Sequence, residues 1–474
     1  MKKNIGILLP VSSLPSRHGI GDFGDEAFYF VKWLSSHHYR YWQILPLNPL
    51  GPGESPYMST CSKAVDYRYI SLDYLTKEGL LGKVPSFNNN TDQVDYYHVG
   101  EFKKKYLYKA YLKYLKGNTD ALKKFKTRNP WVMEYATYEV FKEMNDHKAW
   151  NEWEDWQINY YSTHNKAPRK YIDEINFIIF IQYIALKQWK HLLSYARKHN
   201  IAVIADMPFY VGFDSIDCWL HKDQFSFDSH NEQTEVGGVP PDAFSDDGQL
   251  WGSPIYNFEK MKEDHYSLLV DRTGYLAKMC DYLRIDHFRA FDTYYVIPGG
   301  MPNAKIGEWK VGPRDDFFNE LYKKYPDIKL IAEDLGDLFP TVLELRDRLH
   351  LPGMYVVQFN IFNENMHSNE NMIVYPGTHD NETLFGWVSS LNQDQKNYLY
   401  YKLGSNEENL YDDLINYIYN LPSMMTIFPL QDLLKLDNNA RMNTPGTVGY
   451  PNWVYKLKNF KCLDKIKYFK KGKK

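Results

Sequence analysis

A closed (β/α)8 barrel of the TIM type is the fold this sequence predicts, and three observations predict it. Eight short apolar stretches recur along the 474 residues. Helix-patterned segments stand between several of them, and three of the stretches end in acids. Strands alternating with helices build a parallel sheet, and eight such units close it into a barrel. Barrels with insertions routinely exceed the usual domain length, so 1–474 is read as one barrel.

The candidate strands are IGILLPVSSL from Ile5, YRYWQILPL from Tyr39, IAVIADMPFYV from Ile201 and DYLRIDHFRAF from Asp281. IKLIAEDLG from Ile328, MYVVQFNIF from Met354, IVYPGTHDN from Ile373 and SMMTIFPL from Ser423 complete the eight. DEAFYFVKWLSS after the first strand, FIIFIQYIALKQWKHLLSYARKH before the third and TVLELRDRL after the fifth carry helical periodicity. The spacing is uneven. A span at 53–170, after the second strand, contains EFKKKYLYKAYLKYLKG and WVMEYATYEVFKEM and is expected to be a mainly helical insertion, because structureless loops of that length are rare. A second span at 211–272, after the third strand, contains GGVPPDAFSDDGQLWGSPIY, whose glycine, proline, aspartate and aromatic content suits a lid over a barrel mouth.

Composition narrows the function. The formal charge is −3, with lysine and arginine spread along the chain, so no broad footprint for nucleic acid is expected. The terminal KIKYFKKGKK is read as a solvated end. Four cysteines lie far apart without a CxxC or Cys/His cluster, which argues against a zinc site or a disulfide framework and for a reducing compartment. The apolar run at the start is too short for a signal peptide, and none is long enough for a membrane span, so a cytoplasmic protein is expected. Aromatic residues make up 16%, and such rings suit sugar faces as well as helix packing. GIGDFG at 19–24 matches a dinucleotide fingerprint, but its strand ends too early and no acid follows in WQILPLNPL to hold a ribose. A glycine-rich turn into the first barrel helix is the better reading.

Catalytic groups in a barrel sit at the carboxyl ends of strands. The fourth strand ends in Asp286, the fifth in Glu333 and the seventh in Asp380, each 47 positions after the one before. All three are expected at one mouth. In DYLRIDHFRAF, period-two alternation puts Arg284, Asp286 and Phe288 on one face and Leu283, Ile285 and His287 on the other. A buried structural ion pair is the plain alternative for Arg284 and Asp286. Two carboxyl groups facing each other across a sugar are the standard equipment for breaking a glycosidic bond. Arg284 is expected to lower the pKa of Asp286 and make it the nucleophile. Glu333, without an adjacent cation, is expected to hold a proton as the acid/base, while His379 and Asp380 grip ring hydroxyls. Asp206, Asp286, His287, Glu333, His379 and Asp380 include metal-ligating types, but alternation turns His287 from Asp286, and no metal is expected.

The motifs RIDHFR, AEDLG and GTHDN, with SLPSRHGIGDFG, ESPYMS, DMPFYV, PPDAFSDDGQLWGSPIY and ARMNTPGT, resemble the 4-α-glucanotransferases known as amylomaltases or disproportionating enzymes. The resemblance runs from about Leu8 to Trp453. It implies a single catalytic barrel with inserted subdomains, no separate C-terminal β domain and no cofactor. It also implies Asp286 as nucleophile, Glu333 as acid/base and Asp380 as transition-state stabiliser, with Arg284 and His379 around them. Tyr57 would stack at the transferred sugar. Asp242, Phe244, Gln249 and Trp251 would belong to a closing loop, and Asn443 to donor binding. The last motif departs from the family in its GTVGYPNW tail. The implied reaction is retaining transfer of α-1,4-glucan segments from a maltodextrin to the 4-hydroxyl of another glucan or of glucose, without nucleic acid or membrane partners. An α-glucan hydrolase is the alternative.

Overall fold

The computed structural model describes residues 4–87, 91–164, 166–241 and 245–469. In chain order its strands are β1 (Ile5–Leu8), β2 (Tyr41–Gln43), β3 (Ala202–Met207), β4 (Glu235–Val239), β5 (Gln249–Pro254) and β6 (Tyr282–Ile285). They continue as β7 (Thr293–Pro298), β8 (Glu308–Val311), β9 (Leu330–Ala332), β10 (Gly353–Val356), β11 (Met372–Tyr375) and β12 (Met425–Pro429). Eight of them form one parallel sheet in the order β10-β11-β12-β1-β2-β3-β6-β9. These are the eight predicted stretches. The two ends of the sheet meet where Ala332 N–H donates to the Pro352 carbonyl at 3.0 Å. Next to it a carboxylate stands in for backbone: Met354 N–H donates to Asp334 Oδ1 at 2.7 Å. A Cβ at residue 353 would collide with that carboxylate, so glycine is required there.

The barrel interior is layered. Leu8, Ile204, Ile331, Met354, Val356, Ile373, Tyr375, Met425 and Ile427 form a closed apolar plug. Two residues on, toward the carboxyl ends, the same alternation brings Asp206 after Ile204, Arg284 after Tyr282 and Glu333 after Ile331. Gln43, Asp206 and Arg284 are each at most 2% exposed. The apolar layer thus forces the polar one upward, toward the mouth. Leu283 and Ile285 face the other way and are fully buried in the main core beneath the helices.

The span after β2 carries the helices Leu72–Lys77, Tyr96–Tyr114, Asp120–Arg128 and Trp131–Met144, and ends in the long helix Ile172–Lys198 that leads to β3. Glycine-rich 19–24 runs into the helix Asp25–Ser36, with Gly24 as its N-cap. The sequence reading does not anticipate the second sheet. β4 and β5, from the span after β3, join β7 and β8, from the segment after β6, in an antiparallel sheet of order β5-β4-β7-β8. The short aromatic and β-branched run TYYVIP was its signal, hidden because it follows so closely on β6. The strand of DYLRIDHFRAF also ends early, at Ile285. His287 has a φ of 52°, and Phe288–Phe291 form a 3-10 turn, so the predicted alternation does not extend to Phe288. Among the described residues no helix is long and apolar enough to cross a membrane.

Candidate active site

Arg284 stands at the centre of the mouth. Its Nη1 donates to Asp206 Oδ2 at 2.6 Å and to Asp286 Oδ1 at 3.1 Å. Asp206 also accepts the Tyr57 hydroxyl at 2.7 Å. Backbone bonds fix the two predicted residues beside each other. Asp286 N–H donates to Met207 O at 2.9 Å and Glu333 N–H to Ile285 O at 3.0 Å. Because Ile285 pairs with Ala332, Asp286 and Glu333 are the next residues on adjacent strand ends. Adjacent strands lie about 4.8 Å apart. The Glu333 carboxylate accepts the His287 backbone N–H at 2.6 Å.

The electrostatics differ from the sequence expectation at Asp286. Burial in the narrow mouth pushes its pKa up to about 7, although Arg284 opposes the shift; Asp206 and Asp380 reinforce it. Desolvation outweighs Arg284, whose Nη1 Asp286 shares with Asp206. The Asp286 side chain nevertheless keeps 27% exposure, facing the opening. Burial also drives Glu333 well above the usual carboxylate range, with Asp286 adding to it and Arg284 and the His287 N–H resisting. Of the pair, Asp286 alone bonds directly to a cation, so it is the first to ionise.

On the far side of the mouth, Asp380 is held from two directions. Asn443 Nδ2 donates to its Oδ1 at 2.6 Å, and His379 Nε2 lies 3.3 Å from its Oδ2. Arg441 reinforces the arrangement by donating to the Asp380 carbonyl at 2.6 Å and the Asn443 carbonyl at 2.7 Å. Burial lowers the pKa of His379 and keeps its ring neutral. The Tyr57 ring stacks on that imidazole at 5.2 Å and 14°, and Trp453 flanks both rings at 5.6 and 6.0 Å. Predicted residues from three distant segments are thereby brought together.

Strand β5 of the inserted sheet supplies Gln249 and Trp251. Trp251 Nε1 donates to Gln249 Oε1 at 3.0 Å, and its ring meets the edge of His287 at 4.8 Å. Asp242 and Phe244 lie outside the described residues. The His287 backbone is left-handed and its ring meets Trp251, and burial lowers its pKa to about 3. Asp206, Trp453, His287 and Arg441 join the site without having been predicted as binding residues. The signal for Asp206 was present, since IADMPF ends in an acid as RIDHF does. Trp453 left none, because its neighbours come from Tyr57 and His379. Among the described residues no group of three or more His, Cys, Asp or Glu is placed to hold a metal ion.

A parallel eight-stranded barrel with two adjacent half-buried carboxyl residues at its C-terminal mouth, aromatic side chains and an inserted sheet beside them defines a barrel enzyme equipped for glycosidic bonds. The comparisons with known proteins make this particular. Residues 9–462 match the family model described as 4-alpha-glucanotransferase. The chain is 36% identical over 472 residues to a 4-alpha-glucanotransferase of Streptococcus pneumoniae, covering 96% of this chain and 93% of the relative. It is 36% identical over 490 residues to the chloroplastic/amyloplastic 4-alpha-glucanotransferase of Solanum tuberosum, covering 98% and 84%. The amylomaltase of Streptococcus agalactiae, solved in complex with acarbose, superposes with a TM-score of 0.94 at 35% identity, covering 99% of this chain and 98% of that one. The chain belongs to the 4-alpha-glucanotransferase, or amylomaltase, family and acts on α-1,4-glucans.

Proposed function

We propose that the enzyme transfers glucan segments by a retaining double displacement, with Asp286 as nucleophile and Glu333 as acid/base. The observation that carries this reading is the placement of the two on adjacent strand ends one register step beyond Ile285 and Ala332. That spacing suits the separation of about 5 to 5.5 Å used by retaining enzymes rather than the wider gap of inverting ones. In the first step the ionised Asp286 attacks the anomeric carbon of the donor. The glycosidic C–O bond breaks as Glu333 gives its proton to the departing 4-oxygen, leaving a glycosyl ester on Asp286. In the second step Glu333 takes the proton from the 4-hydroxyl of the acceptor, which attacks the same carbon and releases Asp286. The configuration is inverted twice and so retained.

The surrounding residues have roles in this scheme. Arg284 steadies the released Asp286 carboxylate. Asp380, held by Asn443 and His379, accepts hydrogen bonds from ring hydroxyls and strengthens them as positive charge develops at the anomeric carbon. Tyr57 offers its ring to the transferred sugar. Gln249 and Trp251 belong to the closing lid, which favours a sugar acceptor by excluding water. Maltodextrins are the donors, and maltodextrins or glucose the acceptors. Acarbose, bound by the S. agalactiae relative, is expected to compete with the donor.

Incubation with maltotriose tests the reading. Transfer yields glucose together with longer maltodextrins. Exclusively shorter sugars would mean hydrolysis and would overturn the assignment of the lid as a water barrier. Retention is checked by following the anomer formed first.

A further inference from the structure

Arg289, three residues beyond Asp286, has no part in the scheme above, yet its surroundings tie it to Glu333. The residue is buried, with 6% exposure. Its Nη1 donates to the Asp337 carbonyl at 2.6 Å. The guanidinium lies over the Trp309 ring at 4.1 Å and the Phe339 ring at 5.4 Å. Nε and Nη2 have no hydrogen-bond partner among the described residues. Trp309 belongs to β8, while Asp337 and Phe339 lie in the loop that runs from Glu333 to the helix Pro340–Arg348. One side chain therefore joins the turn after Asp286, the loop after Glu333 and the inserted sheet. Through β8, β7 and β4 that sheet is continuous with β5, which carries Gln249 and Trp251.

A scaffold cation in this position would be expected to meet a carboxylate directly, as Arg346 meets Asp334. Arg289 instead spends its contacts on a carbonyl and two ring faces. The planar guanidinium suits this use; an ammonium does not stack in the same way. We propose that Arg289 is a positioning residue for Glu333: it fastens the loop after Glu333 to the inserted sheet, so that seating of the lid over the substrate fixes where the acid/base carboxyl points. The proposal rests on the reading of Glu333 as the acid/base. It has an electrostatic side as well. The charged groups acting on Glu333 are Arg284, Asp286 and Asp334, with the His287 N–H bonded to it, and Arg289 is close enough to feel its charge. Arg289 itself faces Asp337, Asp292, Glu333 and Tyr210. Removing its charge raises the proton affinity of Glu333, so the basic limb of the pH profile moves to higher pH.

Arg289→Gln, Arg289→Lys and Glu333→Gln are compared with the unaltered enzyme on maltotriose and on a maltosyl fluoride, whose leaving group needs no proton. Arg289→Gln is expected to lower kcat on maltotriose about tenfold to a hundredfold, the scale of a misplaced catalytic group. KM should change less, the fluoride should erase most of the loss in kcat/KM, which reports the first step alone, and the basic limb should move up. Arg289→Lys should return the limb to its place but restore kcat only in part. Equal losses of Arg289→Gln on both donors with an unmoved limb, or no loss at all, would overturn the proposal. Should Arg289→Gln not fold, Arg289→Lys decides by the same donor comparison. Glu333→Gln separates the two readings. If it discriminates between donors while the Arg289 variants do not, the proposal alone falls; if it does not discriminate, both fall.

Discussion

Two buried charge clusters in this molecule look alike in outline and differ in what they leave unpaired. At the junction of the helical span with the barrel, Lys103 is 0% exposed and donates to Asp22 Oδ2 at 3.0 Å, Arg68 O at 2.6 Å and Ile70 O at 2.9 Å. Its three protons are all used, and the other Asp22 oxygen accepts Gly24 N–H at 2.9 Å. At the mouth, Arg284 serves two aspartates with one nitrogen, while its Nε and Asp206 Oδ1 have no partner among the described residues. Burial shifts pKa values in both places, raising Asp22 and lowering Lys103 as it raises Asp286 and Glu333. A perturbed pKa alone therefore does not separate scaffold from site. Satisfaction does: the scaffold pair is closed on itself, and the mouth cluster keeps buried bonding capacity unspent.

The sharpest way to break this contrast is to remove one carboxylate from the mouth. Asp286→Asn is expected to cost on the order of 10⁴-fold or more in kcat on maltotriose, with the fold retained. Its stability should also respond in a stated direction. The folded pKa of Asp286, about 7, lies above the unfolded value of about 3.9. The carboxyl thus favours folding at low pH and disfavours it increasingly as pH rises to about 7. Asp286→Asn should raise Tm at pH 8 and leave it nearly unchanged at pH 4. A lower Tm at pH 8 would place Asp286 with the scaffold.

Lys103→Met should do the opposite, costing about 3–5 kcal/mol in denaturant unfolding because Asp22 is left buried and uncompensated. The double variant Lys103→Met, Asp22→Asn should recover much of that loss, and either folded variant should keep its kcat. A full loss in the double variant would show that the pair contributes more than mutual compensation.

The next effect is in pH dependence. With Asp286 as the proposed nucleophile, which attacks only when ionised, kcat/KM for maltotriose should fall tenfold per unit below about pH 7, and Arg284→Gln should move that limb upward. The smallest expected effect belongs to Tyr57→Phe, which keeps the stacked ring and removes the hydroxyl bonded to Asp206. A loss of about 1 kcal/mol, or several-fold in kcat/KM, is expected.

Legibility followed the range of the interactions. All eight barrel strands could be read because each carries its own apolar pattern and turn residues, and Asp286, Glu333 and Asp380 could be read because a barrel delivers strand ends to one mouth. Asp206 was equally readable by that rule. The inserted sheet was not, since β4 and β5 come from one segment and β7 and β8 from another, and short strands with non-local partners leave weak patterns.

The sequence by itself determined the barrel, the three strand-end acids and the family to which their motifs belong, because these depend on period, local alternation and residue type. The tertiary structure decided which acid shares Arg284, how far burial outweighs that cation, and that Tyr57, His379 and Trp453 form one aromatic cluster. It also decided where Arg289 lies between the Glu333 loop and β8. Those outcomes depend on distances and desolvation among residues hundreds of positions apart, and no local pattern encodes them.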